Sequence, residues 1–207
     1  MLDPSAPRTA AEAQLVVVRN AVKTNPNSGA NWADFIRALT GVKQYDQAEK
    51  ELENARRVLK KSDEQRLLIE IAGQELLLAQ QKYQEAYIAG NTAIALEKKV
   101  RETVVKEAAA KGLRIDPKLL GPEITTGVYL FHARAAGALE KWDEAIDSLD
   151  VAITYTPRAA NLYFLRGDAY LRSGDKKNAT KDFKAALKFD PQYTAAQVGL
   201  EKAGESK

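Results

Sequence analysis

The chain has 207 residues, 45% apolar and 29% charged, a composition that buries a real core and is neither fibrous nor low-complexity. Its 31 Lys/Arg and 28 Asp/Glu are well mixed and leave a formal charge of +3, which argues against a nucleic-acid footprint or a polybasic membrane patch. Cysteine is absent, which removes disulfides, thiol catalysis and Cys-based zinc sites together and fits the cytosol or a bacterial periplasm alike.

Residues 1–8 contain two prolines and read as a flexible leader, with neither the basic start nor the apolar run of a signal peptide. No stretch approaches the ~18 apolar residues of a membrane span. A cytoplasmic location is expected, with the bacterial periplasm or envelope as the alternative if an N-terminal signal or anchor has been removed. From Thr9 a helical pattern runs through Ala13, Val16 or Val17 and Ala21 until Asn25-Pro26 stops it, giving half a helix pair over 9–26. Next, Trp32-x2-Phe35-Ile36-x2-Leu39 and Ala48-x3-Leu52 with Ala55 describe two helices within 29–62. A weaker copy surrounds Lys82-Tyr83-Gln-Glu-Ala86 over 67–100, its first helix fitting two registers one residue apart.

After Ala86 an apolar stripe continues through Ala89, Ala93, Leu96, Val100, Val104 and Ala108 without a breaker before Gly112. It predicts an overlong second helix of roughly 28 residues, about 42 Å at helical rise. Residues 97–125 thus form an insertion, and Leu113–Gly121, with Pro117 inside it and Pro122 behind it, reads as a returning loop. Then come Tyr129-x2-His132-Ala133, Ala145-x3-Leu149, Ala152 and Pro157 within 126–159. The last copy, 160–193, has Tyr163-x2-Arg166-Gly167-x2-Tyr170, Ala179-x3-Phe183 and Pro191, and a short capping helix is expected over 193–205.

Tyr129/Tyr163, Ala145/Ala179, Ala152/Ala186 and Pro157/Pro191 all recur at one offset of 34 residues, the signature of stacked repeats. The turn before the second helix recurs four times, as Gln44-Tyr45-Asp-Gln-Ala48, Lys82-Tyr83-Gln-Glu-Ala86, Lys141-Trp142-Asp-Glu-Ala145 and Asp175-Lys176-Lys-Asn-Ala179. The aromatic–small–Tyr first helix, the Ala…Phe second helix and the closing proline resemble the tetratricopeptide repeat (TPR) family over roughly residues 9–205. The resemblance implies an all-α, right-handed α-solenoid of antiparallel helix pairs, with the capping helix closing its apolar end. Where this chain departs from the pattern is the 25-residue excess between Ala86 and Ala145, which are 59 residues apart.

In that family the first helices line a concave groove that holds extended peptides or helices of partner proteins. Carried onto this sequence, the groove positions are Ala33 and Arg37, then Leu68, Ile71, Glu75 and Leu78, then Leu130, Arg134 and Gly137, and finally Asn161, Phe164, Asp168, Leu171 and Arg172. Apolar centres with guanidinium fringes suit a peptide with hydrophobic anchors and some carboxylates, since Arg binds carboxylates bidentately. The expectation is a non-enzymatic scaffold or adaptor, on which Arg134→Glu with Phe164→Ala abolishes partner capture and leaves helicity and melting nearly unchanged. The Lys/Asn clamp with which chaperone co-factors grip an EEVD-type tail is missing in either frame: the matching positions hold Ala33, Arg37, Ala72, Gly127 and Phe131, or Ile71, Glu75, Phe131, Asn161 and Leu165.

Between Glu97 and Lys118 seven basic residues face four acidic ones, which leaves two alternatives: an RNA-binding basic arm, or a self-associating module that makes a homo-oligomer through the insertion. The bland alternative is an amphipathic extension packed on its own chain. His132, the single histidine, stands where the family usually has Leu and reads as a packed, hydrogen-bonded side chain; Arg166 is a similar anomaly. No phosphate loop, nucleophile elbow or calcium-loop spacing occurs, so no catalytic residue, cofactor or metal is expected.

Overall fold

The computed structural model describes residues 9–117 and 121–204; the expected leader at 1–8 lies outside these. Ten helices fill the described residues: α1 (Ala10–Thr24), α2 (Gly29–Gly41), α3 (Tyr45–Val58), α4 (Asp63–Ala79), α5 (Tyr83–Ala110), α6 (Pro122–Ala138), α7 (Trp142–Tyr155), α8 (Ala160–Arg172), α9 (Lys176–Phe189) and α10 (Thr194–Lys202). The fold is an all-α helical repeat. The chain divides within α5 into two compact units, one ending at Val100 and the other beginning at Arg101.

Each helix pair closes through one device. The residue that ends the turn after α2, α4, α6 and α8 is left-handed: Lys43, Gln81, Glu140 and Gly174. The next amide donates back to a carbonyl inside the helix, Gln44 to Leu39, Lys82 to Leu77, Lys141 to Ala136 and Asp175 to Tyr170, at 2.8–3.0 Å. This is the Schellman closure that satisfies the last carbonyls of a helix. Each left-handed residue precedes a second-helix alanine (Ala48, Ala86, Ala145, Ala179) by five, so the turns fix the register that the pattern around Ala86 left open.

A second device joins α2, α8 and α10 to the segments before them. Trp32 Nε1 donates to the Pro26 carbonyl at 2.8 Å, Tyr163 Oη to Pro157 at 2.9 Å, and Gln197 Nε2 to Pro191 at 3.2 Å. At these three boundaries a proline carbonyl is tied down by a side chain six residues on. The third case places α10 in the register of another first helix, with Gln in the aromatic position.

Two boundaries differ from expectation for local reasons. α4 begins at Asp63, four residues ahead of 67, because Ser62 Oγ accepts from the Gln65 amide and caps an added turn. That turn absorbs the four-residue excess in the 38-residue spacing of Ala48 and Ala86. α6 begins at Pro122, ahead of 126, with Pro at its first position after left-handed Gly121. The face of α1 also differs from the sequence reading. Leu15, Val18 and Val22 are buried with Trp32 and Ile36, while Val16 and Val17 point outward, Val17 being 61% exposed. Four apolar residues in a row, Leu15–Val18, carry no phase, and packing on α2 selected the Leu15/Val18 edge.

α5 spans 28 residues, the length its stripe predicts. On its last turns Arg101 bonds the Pro117 carbonyl and Thr125 Oγ1, and lies 4.8 Å from the centre of the Tyr155 ring. The far end of the helix is thus tied down within the second unit by its own chain.

Candidate functional site

The first helix of every pair carries a column of residues six positions before the left-handed turn: Arg37, Glu75, Arg134 and Asp168. Ten positions before it stand Ala33, Ile71, Leu130 and Phe164, so the expected groove residues occupy equivalent positions on their own first helices. The structure treats them differently. Ala33 is 2% exposed and belongs to the first unit's core, and Ile71 is 5% exposed, so neither offers surface to a partner. Leu68, Leu78 and Leu130 are half-buried. Arg37 Nε donates to Glu75 Oε1 at 2.9 Å and approaches Asp34 at 3.6 Å, so the first unit's two charged groove positions compensate each other.

Phe164 is also committed internally. Its ring meets Tyr193 edge-on at 5.2 Å and Phe183 at 6.0 Å, and Leu171 packs on the same cluster. Phe164→Ala should therefore lower the melting temperature, where the sequence reading expects it nearly unchanged. Tyr193, at the start of α10, thus packs on the Phe164 ring, and neither ring contact was visible in the repeat pattern.

In the second unit Arg134, Gly137, Asp168 and Arg172, but not Leu130, Asn161, Phe164 or Leu171, line a cavity of about 310 Å³ between α6, α7 and α8. Ala133, Gly137, Ala138 and Ala169 line it with small side chains, Trp142 and Leu165 supply larger apolar surface, and Arg134, Asp168 and Arg172 stand around it. A Cβ on Gly137 would meet only Trp142, at 3.7 Å, so the hollow is kept by the missing side chain rather than by strain. Arg172 Nε donates to Asp168 Oδ2 at 2.8 Å and its guanidinium lies 5.7 Å from the Trp142 ring centre. Arg134 is exposed, rests 5.8 Å from the Phe131 ring centre and makes no ion pair among the described residues. Sequence reasoning selected Arg134, Gly137, Asp168 and Arg172 but missed Trp142, because the turn residue after Lys141 reads as part of the packing signature.

A cavity of about 510 Å³ in the first unit is lined by Arg56, Lys60, Arg66, Glu70, Ala89 and Thr92. Most of its charge is spoken for. Arg56 holds Glu70 through two nitrogens at 2.5 and 3.0 Å and also reaches Glu53, which raises its pKa further above the ordinary guanidinium value, while Arg66 faces Asp63 at 3.5 Å. Among the described residues no group of three or more His, Asp or Glu could hold a metal ion, and no helix is long and apolar enough to cross a membrane.

The two anomalous residues prove to be equivalent. His132 and Arg166 stand eight positions before their turns, and each bonds a residue of the second helix sixteen further on. His132 Nδ1 is 2.8 Å from Ser148 Oγ, and Arg166 forks onto Asp182 at 2.7 and 2.8 Å while also reaching Asp150. Asp182 is 3% exposed at its side chain, and its hydrogen bonds raise the Arg166 pKa. Burial lowers the His132 pKa below its usual value. The matching residues of the first two pairs are Phe35 and Gly73, neither of which can make such a bond. Gln74, one position beyond Gly73, stands where the other pairs have Ile36, Ala133 and Gly167; it is fully buried, and its side-chain oxygen and nitrogen have no hydrogen-bond partner.

Comparison with known proteins agrees with this architecture. A tetratricopeptide-repeat family profile matches residues 132–194. Among solved structures, BtubC from P. vanneervenii superposes with a TM-score of 0.70 at 15% identity, over 94% of this chain and 83% of that one. PilF of Pseudomonas aeruginosa gives 0.65 at 14%, over 91% and 73%, and the thermophilic TPR protein TTC0263 of Thermus thermophilus gives 0.63 at 15%, over 93% and 90%. No curated protein matches the sequence. The profile match places tetratricopeptide repeats at residues 132–194, and the neighbours share the all-α helical-repeat fold over most of the chain.

Proposed function

We propose that the chain is a non-enzymatic adaptor that holds a peptide or helix of a partner protein at the α6–α8 cavity. The TPR fold serves protein–protein interaction in general; the local observation that supports this reading is an open hollow with a small-residue floor, a half-buried Trp142 at its wall and guanidinium groups at its rim. Rigid helices hold these groups in place before binding, so little ordering is lost when a ligand docks. The groove positions of the first unit contribute less, since Ala33 and Ile71 are buried and Arg37 is paired with Glu75.

Gly137→Leu tests the reading without threatening the fold. Leu is the better helix former by about 0.8 kcal/mol, and the nearest atom to its Cβ is at ordinary contact distance. Selection from a displayed library of unstructured peptides should enrich ligands on the wild-type chain. Gly137→Leu should lose them by more than about tenfold while melting at the same or a higher temperature, since one filled hollow removes several apolar contacts. Undiminished enrichment on the variant would place binding elsewhere.

A further inference from the structure

The equivalent first-helix position holds Arg37, Glu75, Arg134 and Asp168 in turn, and the two units pair these charges differently. In the first unit the cation and the anion of adjacent pairs meet directly, at 2.9 Å. In the second unit the same two positions hold Arg134 and Asp168, but the Asp168 carboxylate is bonded by Arg172 of its own helix, four residues on. Arg134 is left exposed with no ion pair among the described residues. Two guanidinium groups and one carboxylate thus surround an apolar hollow, leaving one positive charge uncompensated.

We propose that the ligand of this cavity is an acidic peptide that sets an apolar side chain against Trp142 and a carboxylate on Arg134, and that Asp168 is a built-in competitor for that carboxylate. The proposal rests on the groove reading above and names its ligand class. An arginine already lying on an aromatic face presents its N–H fork at low ordering cost, and carboxylate is the group that matches the fork bidentately. Asp168, half-exposed on the same rim, lowers the local positive potential and holds Arg172 away from the ligand. The carboxylate can come from an Asp or Glu side chain or from a chain terminus; Arg134 sees the same chemistry in both.

The test uses synthetic nonapeptides in a Gly/Ser background with one central Leu or Phe flanked by Glu, Gln or Lys, each made as the C-terminal amide and as the free acid. Binding is measured by fluorescence polarisation to the full chain and to Arg134→Gln, Asp168→Asn and Gly137→Leu. Glu-flanked amides should bind about tenfold tighter than Gln-flanked ones if the side chain is read, and only free acids should show the gain if the terminus is read. Arg134→Gln should erase the preference. Asp168→Asn should tighten acidic peptides about three- to fivefold, the size of one exposed charge interaction; a residue with a merely structural role would weaken binding instead. Charge-blind binding to every peptide, amide and acid alike, or weaker binding by Asp168→Asn, overturns the proposal. If binding is blind to charge but blocked by Gly137→Leu, the cavity stands and the carboxylate assignment falls. If no peptide binds at millimolar concentration, both fall.

Discussion

Among single residues, the polar members of the helix-pair interface carry the sharpest consequences. His132 is kept neutral by burial, with Glu144 opposing and Lys141 adding to the shift. Its folded pKa lies below the unfolded value of about 6.5. The unfolded chain therefore takes up the proton first as pH falls: the stability linked to His132 is intact above about pH 7 and declines below about 6.5, at up to about 1.4 kcal/mol per pH unit. Urea melts between pH 7.5 and 5 should show this fall, and His132→Leu should flatten it. Arg166→Leu leaves the Asp182 carboxylate buried and unpaired, which costs about 3 kcal/mol, whereas adding Asp182→Leu should recover most of the loss. Gln74→Leu removes an amide whose atoms bond nothing and should stabilise by about 1–2 kcal/mol, as read by thermal melting. The sequence marks His132 and Arg166 as oddities but says nothing of their partners. Ser148 and Asp182 are sixteen residues away, and only the antiparallel pairing of two helices makes that spacing a contact.

At the scale of the element, the left-handed turn explains both the regularity of the repeats and an avoidable cost. Only Gly174 is glycine; Lys43, Gln81 and Glu140 adopt the same conformation with a Cβ, at a cost of about 1 kcal/mol each. Replacing any of the three by Gly should raise stability by up to about 1 kcal/mol, and Gly174→Ala should lower it by a similar amount; chemical denaturation of the four variants checks the ordering. These turns were only half legible. The alanine that follows each by five residues is conspicuous, because a small residue is needed where two helices approach. The left-handed residue itself leaves no trace when it is Lys, Gln or Glu. The length of α5 was legible from its unbroken stripe, while the buried edge of α1 was not, since a run of Leu15, Val16, Val17 and Val18 fits two phases and α2 chose between them.

For the molecule as a whole, a near-balanced charge of +3 conceals a difference in how the two units pair the charges at equivalent first-helix positions. The first unit neutralises its groove with Arg37 and Glu75, the second leaves Arg134 open beside a cavity, and Tyr193 covers Phe164. The groove residues could be placed on their helices from sequence because repeat position determines helix face. Which of them remain available could not, because availability depends on ion pairs and ring contacts made between successive helices. The two tryptophans give the most direct test of where binding happens. Trp32 is buried in the first unit with its indole bonded to Pro26, and Trp142 lines the cavity of the second. In a titration of ¹⁵N-labelled protein with the tightest acidic peptide, followed through the two indole N–H signals, Trp142 should shift progressively to saturation while Trp32 stays fixed. A peptide that binds with Trp142 unmoved, or that shifts Trp32 instead, would contradict the account.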